Sequence, residues 1–156
     1  MANRVSRLPS LGAALLVVGG FAIALFARPV GPVGQPRMVV YKDPACGCCK
    51  KWVQHVEAAG FRVAVRDTAD LDAVTVRYAV PKNLTACHTA VAAGYVFEGH
   101  VPADVIERLL KERPAVVGLA VPGMPAGSPG MDSPTPAHYD IIAFDRAGKT
   151  SVYASR

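Results

Sequence analysis

The sequence predicts a single mixed α/β domain, in which helices flank a sheet. The chain has 156 residues and is 51% hydrophobic, which suits one domain and excludes a large multidomain enzyme. Short apolar runs typical of buried strands alternate with segments of helical periodicity. Charged residues make up 19% of the chain, too few for a disordered or supercharged protein.

The N-terminal residues predict a targeting segment that is separate from the fold. Arg4 and Arg7 precede a long uncharged apolar run. This pattern is typical of a secretory signal peptide, and the run also reaches the lower length limit of a membrane-spanning helix. We therefore expect residues 1–27 to be a signal peptide or an N-terminal membrane anchor. Residues 28–37 mix proline with glycine and predict a linker, which leaves residues 38–156 as the folded domain.

The domain is predicted to start with a strand, a helix and a second strand. Residues 38–41 form an apolar run that suits a buried strand. Helical spacing begins at Cys49, and Gly60 can close this helix. Apolar residues then alternate over residues 61–65, as in a strand. Because such units are joined by a right-handed crossover, we expect the two strands to be parallel.

The following segments predict a helix, an antiparallel strand pair and another helix. They are a helix at 71–78, strands at 85–92 and 95–101, and a helix that starts at Pro102 and stops at Pro114. This order of elements is typical of a thioredoxin-like fold. Residues 118–136 are rich in glycine and proline and predict a loop. Residues 139–144 and 150–153 predict a terminal β-hairpin appended to that fold.

The charge pattern argues against a nucleic-acid partner. The net charge is +5, but the lysines and arginines are scattered rather than arranged in a stripe. Membrane contact is predicted only for residues 1–27. Because the basic end of that segment stays in the cytoplasm, the rest of the chain is predicted to be periplasmic, either soluble or anchored to the inner membrane.

The functional signal is a cysteine cluster. Cys46, Cys48 and Cys49 fall where the first predicted strand ends and the first helix begins. Unpaired N–H groups and the helix dipole stabilise thiolates there, so their pKa values should lie below the usual value of about 8.5. Cys46 and Cys49 are spaced for a disulfide or for sharing a metal. A dithiol oxidoreductase has no use for Cys48, whereas crowded thiolates suit a soft metal that sulfur atoms can bridge.

The fourth cysteine and its neighbour fall at the start of the third predicted strand. In a thioredoxin-like fold this segment runs beside the N-terminus of the first helix. We expect Cys87 to face the cluster, and His88 to alternate away from it or to lie at its rim. The simpler alternative is that Cys87 is a buried small hydrophobic residue.

The donor atoms favour copper. Thiolate and thioether sulfur select Cu(I), and an exported domain meets copper outside the cytoplasm. Structural zinc sites usually combine two cysteine pairs, and the spacing runs of iron–sulfur proteins are absent from this sequence. His100 is a further candidate ligand. Met124 and Met131 stand in repeated Pro-Gly-Met units and either supply sulfur or cover the apolar end of the domain.

Four motifs in order resemble the CopG-type copper-resistance proteins, a family long described as a domain of unknown function. They are DPACGCCK at 43–50, CHTA at 87–90, GYVFEGHVPA at 94–103, and GLAVPGMP with GSPGM between 118 and 131. The resemblance implies an exported thioredoxin-like domain that binds several copper ions through Cys46, Cys48, Cys49 and Cys87.

Three hypotheses follow from the sequence. The first is an exported protein that holds Cu(I) in a cysteine-bridged, multinuclear site, contributes to copper resistance and homeostasis, and works with periplasmic copper-handling proteins. The second is a periplasmic thiol–disulfide oxidoreductase in which Cys46 attacks and Cys49 resolves. The third is an interaction domain with two disulfides, which the adjacency of Cys48 and Cys49 makes awkward. The sequence leaves open whether the chain is an enzyme.

Overall fold

The computed structural model describes residues 37–156. The predicted targeting segment at 1–27 and the linker up to residue 36 lie outside the described residues, whereas Arg37 opens the first strand. The elements are β1 (Arg37–Lys42), α1 (Gly47–Ala58), β2 (Arg62–Asp67), α2 (Leu71–Arg77), a 3-10 turn (Lys82–Leu84), β3 (His88–Ala92), β4 (Tyr95–Gly99), α3 (Ala103–Glu112), β5 (Gly118–Val121), β6 (Asp140–Phe144) and β7 (Thr150–Ser155). Among these helices, none is long and apolar enough to cross a membrane.

All seven strands form one mixed sheet in the order β2-β1-β3-β4-β5-β6-β7. Strands β1 and β2 are parallel, as predicted for the first strand–helix–strand unit, and β3 and β4 form the predicted antiparallel pair. The other parallel pair is β4 with β5. The mixed α/β class and the terminal hairpin of β6 and β7 are confirmed.

Strand β5 corrects the prediction that residues 118–136 form a single loop. All four residues of Gly118–Val121 are buried, between β4 and β6. Gly118 allows this close approach, since a Cβ added there would lie 1.9 Å from the Val96 carbonyl oxygen. Glycine thus marks a tight strand contact here rather than the start of a loop. Because β5 pairs with β6, it also joins the terminal hairpin to the sheet.

The first helix places its apolar side in the core. Trp52, Val53 and Val56 are buried and belong to the main apolar cluster, together with Ile106 and Leu109 of α3. Burying side chains of this size stabilises the fold by about 1.5–3 kcal/mol each. This packing sets the position of the N-terminus of α1, and with it the position of the cysteines.

Strand β3 begins later than predicted. Residues 85–87 of the predicted strand 85–92 follow the 3-10 turn without being part of a strand, so β3 starts at His88. Its neighbour on β1 in the sheet register is Lys42. Cys87 therefore lies just outside the ladder, where its side chain need not follow the alternation of a strand.

Candidate metal centre

A tight turn after β1 brings three cysteines to the first turn of α1. The Asp43 carboxylate accepts a hydrogen bond from the Ala45 amide at 2.7 Å, and the Asp43 carbonyl accepts one from the Cys46 amide at 3.1 Å. Cys46 is the N-cap of the helix, and its sulfur accepts a hydrogen bond from the Cys49 amide at 3.2 Å. The helix terminus therefore directs the Cys49 N–H at the Cys46 sulfur.

Four cysteine sulfurs meet at this point. The Sγ atoms of Cys46, Cys48, Cys49 and Cys87 all lie within 4.8 Å of one another. The Cys46 and Cys48 sulfurs are 3.5 Å apart. Cys46 and Cys49 form a disulfide, whereas Cys48 and Cys87 are free thiols. The predicted gathering of Cys87 with the other three is thus present in the structure, and the role of the four as metal ligands stays a prediction.

The environment of Cys87 disfavours its thiolate. Burial, reinforced by the neighbouring Cys48 thiol, raises the pKa of Cys87 to about 12. Cys87 is therefore a thiol at neutral pH in the metal-free protein. A metal that binds its sulfur must displace a proton.

Two histidines contact Cys87 from the buried side. His88 Nδ1 lies 3.3 Å and His100 Nε2 lies 3.0 Å from the Cys87 sulfur, and both rings are fully buried. Of the two expected positions, His88 therefore does not turn away from the cluster but lies at its rim, on the buried side. Because Cys87 precedes the ladder, the two adjacent side chains can converge. The ring of His88 packs against Trp52, with ring centroids 4.3 Å apart.

Both imidazoles are held in the neutral form. Burial and the neighbouring His100 ring lower the pKa of His88 to about 3, and burial also lowers the pKa of His100. Neutral imidazole is the form that binds metals. Among the described residues, the second ring nitrogens (Nε2 of His88 and Nδ1 of His100) have no hydrogen-bond partner. Cys87, His88 and His100 thus form a second set of potential ligands that shares Cys87 with the first.

The loop after β5 packs onto α1 beside the cysteines. A Cβ added at Gly130 would lie 2.7 Å from the Cys48 carbonyl oxygen and 3.0 Å from the Trp52 amide nitrogen. Lys51 and Asp132 form an ion pair at 3.0 Å between the helix and this loop. Met131 follows Gly130 directly and is half-buried, whereas Met124 is 37% exposed. The role of both methionines as sulfur donors stays a prediction.

A buried acid lies next to the site and was not among the residues predicted from the sequence. Glu98 is fully buried, and its carboxylate accepts hydrogen bonds at 2.7 Å from the Ala86 amide and at 2.7 Å from the Thr89 hydroxyl. Burial raises the pKa of Glu98 to about 7, although both hydrogen bonds lower it. The signal was present in the sequence as a lone carboxylate inside an otherwise apolar strand.

The fold and the site together define a mixed α/β protein with a thiol-rich candidate centre for a soft metal. Residues 84–131 match a protein-family model described as "Protein of unknown function, DUF411". Two solved structures, forms 1 and 2 of copper resistance protein CopG, are each 45% identical to the chain, with a TM-score of 0.74. Each match covers 78% of this chain and 98% of the other. Comparison with curated proteins gave no match. The chain therefore belongs to the CopG family of copper-resistance proteins.

Proposed function

We propose that this chain is an exported copper-binding protein that holds Cu(I) in a cysteine-bridged, multinuclear site and contributes to copper resistance and homeostasis. One observation carries the proposal: the sulfurs of Cys46, Cys48, Cys49 and Cys87 lie within 4.8 Å of one another. Its similarity to structures of copper resistance protein CopG supports copper as the metal.

The chemistry of the donors favours the monovalent ion. Thiolates are soft ligands that select Cu(I), and a thiolate can bridge two ions, so a group of four suits more than one copper. Cys46 and Cys49 are close enough to form a disulfide, so in the reduced protein they can also approach a common metal. The reduced state is therefore the proposed binding state.

The contacts of Cys87 extend the proposed site inward. His88 and His100 touch its sulfur with neutral rings and are proposed as additional ligands on the buried side. Met124 and Met131 are proposed as soft donors on the loop side, where Gly130 packs against α1.

The proposed location is the periplasm. It depends on the predicted signal peptide or anchor at 1–27, which also supplies the proposed membrane contact. Copper ions, and periplasmic proteins that deliver or accept them, are the proposed partners. Fractionation of cells that express the chain tests this location, and recovery of the whole population from the cytoplasm contradicts it.

Copper binding is tested on the reduced chain by Cu(I) titration against a chromophoric chelator, combined with elemental analysis and ultraviolet charge-transfer spectra. We expect more than one copper per chain and sulfur-to-copper charge-transfer bands. Cys48→Ser should lower the copper number. Ser155→Ala is a matched control, because it removes only an exposed hydrogen bond to Asp140 on β6 and should leave binding unchanged. If wild type binds no more Cu(I) than Cys48→Ser, a bridged cluster is contradicted.

The disulfide supports a second candidate function. Cys46 and Cys49 are joined at the N-terminus of α1, and the Cys46 side chain is partly exposed there. This arrangement suits a thiol–disulfide oxidoreductase in which a Cys46 thiolate attacks a substrate disulfide and Cys49 resolves the mixed disulfide. Insulin reduction that survives replacement of both Cys48 and Cys87 by serine supports this candidate. Absence of exchange activity in the wild type contradicts it.

A further inference from the structure

Glu98 is a buried carboxylate that neither proposed function uses. It lies on β4 with no exposed surface. Within residues 37–156, no basic side chain forms an ion pair with it. Burial of an unpaired carboxylate is costly, so its two hydrogen bonds must offset a substantial desolvation penalty.

The two hydrogen bonds of Glu98 bracket Cys87 and His88. One carboxylate oxygen binds the Ala86 amide and the other binds the Thr89 hydroxyl. Thr89 is the register partner of Glu98, and the β3–β4 pairing goes no further toward Cys87. The carboxylate therefore adds two hydrogen bonds at the point where the β3–β4 backbone pairing ends. These bonds hold both ends of the short segment that carries the candidate ligands Cys87 and His88.

The opposite side of Cys87 is held by the first helix and by His100. The Cys87 carbonyl oxygen lies 3.3 Å from the Cys49 sulfur, and its own sulfur lies 3.0 Å from His100 Nε2. These contacts form only if the backbone between Ala86 and Thr89 follows its present path. Glu98 is the side chain that accepts hydrogen bonds from both ends of this stretch, from within the sheet.

We propose that Glu98 is a positioning residue, which holds the backbone of residues 86–89 so that the Cys87 sulfur faces the other three cysteines. The part of this proposal that concerns copper binding rests on the proposed function. Groups that orient metal ligands in this way typically change metal affinity by about 10- to 100-fold when removed. The position of Cys87 is also measurable without any metal, which separates the two proposals.

The metal-free test uses the chain in which Cys46 and Cys49 remain a disulfide, so that Cys48 and Cys87 are the free thiols. Because the Cys87 thiol is protonated at neutral pH, every variant is treated to completion at the same alkaline pH. A short bifunctional thiol reagent should join them in the wild type. Glu98→Ala should lower the yield of this intramolecular cross-link about tenfold. Glu98→Gln should restore it, since an amide can accept from the Ala86 N–H and donate to the Thr89 hydroxyl. Tyr95→Phe is the control, because it removes one hydrogen bond from the other end of β4.

The second arm measures Cu(I) affinity of the reduced chain. Glu98→Ala should bind copper about 10- to 100-fold more weakly, and Glu98→Gln should bind like the wild type. In a Cys87→Ser background, Glu98→Ala should add little, because both changes then remove the same ligand. Full additivity with Cys87→Ser overturns the positioning role.

Thr89→Val provides the test if Glu98→Ala fails to fold, because it removes only one of the two hydrogen bonds to the Glu98 carboxylate. It should reduce cross-linking and copper affinity several-fold. If folded Glu98→Ala and Thr89→Val both cross-link like the wild type, the proposal is overturned, whatever their copper binding. If both variants lower the cross-link yield as expected but the wild type binds no Cu(I), the proposed function fails and the positioning role of Glu98 stands.

Discussion

The carbonyl oxygen of Cys87 lies 3.3 Å from the sulfur of Cys49, although 38 positions separate the two residues in the chain. Cys49 lies in the first turn of α1, and Cys87 directly precedes β3. The sheet order places β3 beside β1, so the segment before β3 passes the end of β1 from which α1 emerges. Cysteines that follow the end of β1 and a cysteine that precedes the start of β3 therefore form a single cluster.

Replacement of Cys87 by serine separates the two candidate functions. Copper affinity and copper number should both fall, since Cys87 belongs to both sets of potential ligands. Disulfide exchange through Cys46 and Cys49 should persist, because neither thiol is changed. Chelator competition and insulin reduction on the same preparation measure the two effects. Unchanged copper binding in the variant would remove Cys87 from the site.

Copper affinity should increase with pH throughout the neutral range. Because the pKa of Cys87 is raised to about 12, its thiol still carries a proton at pH 7, and copper binding must release it. Each proton displaced adds about one to the slope of a plot of the logarithm of the binding constant against pH. Cu(I) competition between pH 6 and 9 measures this slope. Cys87→Ser should lower it by about one, and an identical slope in the variant contradicts the assignment.

Gly130→Ala should loosen the loop from α1. At its φ of +88° an alanine is strained by about 1–2 kcal/mol, and its Cβ would also clash with the Cys48 carbonyl and the Trp52 amide. Overpacking of this kind costs a further 1–3 kcal/mol or so. Gly148→Ala is the matched control, since that glycine also has a positive φ but open space around its Cβ position.

Chemical unfolding of the metal-free chain measures the difference between these two glycine variants. Gly130→Ala should be the less stable of the two and should bind Cu(I) more weakly, because the loop packs on the helix turn that carries Cys48. Equal stability and equal copper affinity would show that the loop does not support the site.

Acid dependence of stability should reveal opposite contributions from Glu98 and His88 in the metal-free chain. The pKa of His88 is lowered from 6.5 to about 3, so its contribution to stability is complete above pH 6.5 and is lost as the pH falls toward 3. The pKa of Glu98 is raised from 4.5 to about 7, so its contribution is complete below pH 4.5 and is lost as the pH rises toward 7. Between pH 4.5 and 6.5 the two changes oppose each other.

Two conservative variants expose these contributions. Relative to the wild type, Glu98→Gln should gain about 2 kcal/mol of unfolding free energy between pH 4.5 and 6.5. His88→Gln should lose a similar amount over the same interval. Urea unfolding at the two pH values measures both differences. Changes of the same sign in the two variants would contradict the opposing roles.

Much of the architecture was predictable from local patterns. Apolar runs, helical spacing and the position of proline identified β1, α1, α2, β4, α3 and the terminal hairpin, because these features depend on short-range periodicity. Strand β5 was missed, since its glycine suggested a loop and its neighbours in the sheet are not its neighbours in sequence. Glu98 was missed for a related reason: its partners, Ala86 and Thr89, lie on the preceding strand and the segment before it.

The sequence by itself determined which donor atoms are available: three crowded cysteines at a helix start and a fourth beside a histidine. Sulfur type and local spacing are properties of a few adjacent residues and need no fold to be recognised. Only the tertiary structure decided that Cys87 reaches the other sulfurs, that both His88 and His100 touch it, and that Glu98 holds its segment. Such contacts depend on strand order and on where a ladder ends, and these are set by the packing of the whole sheet.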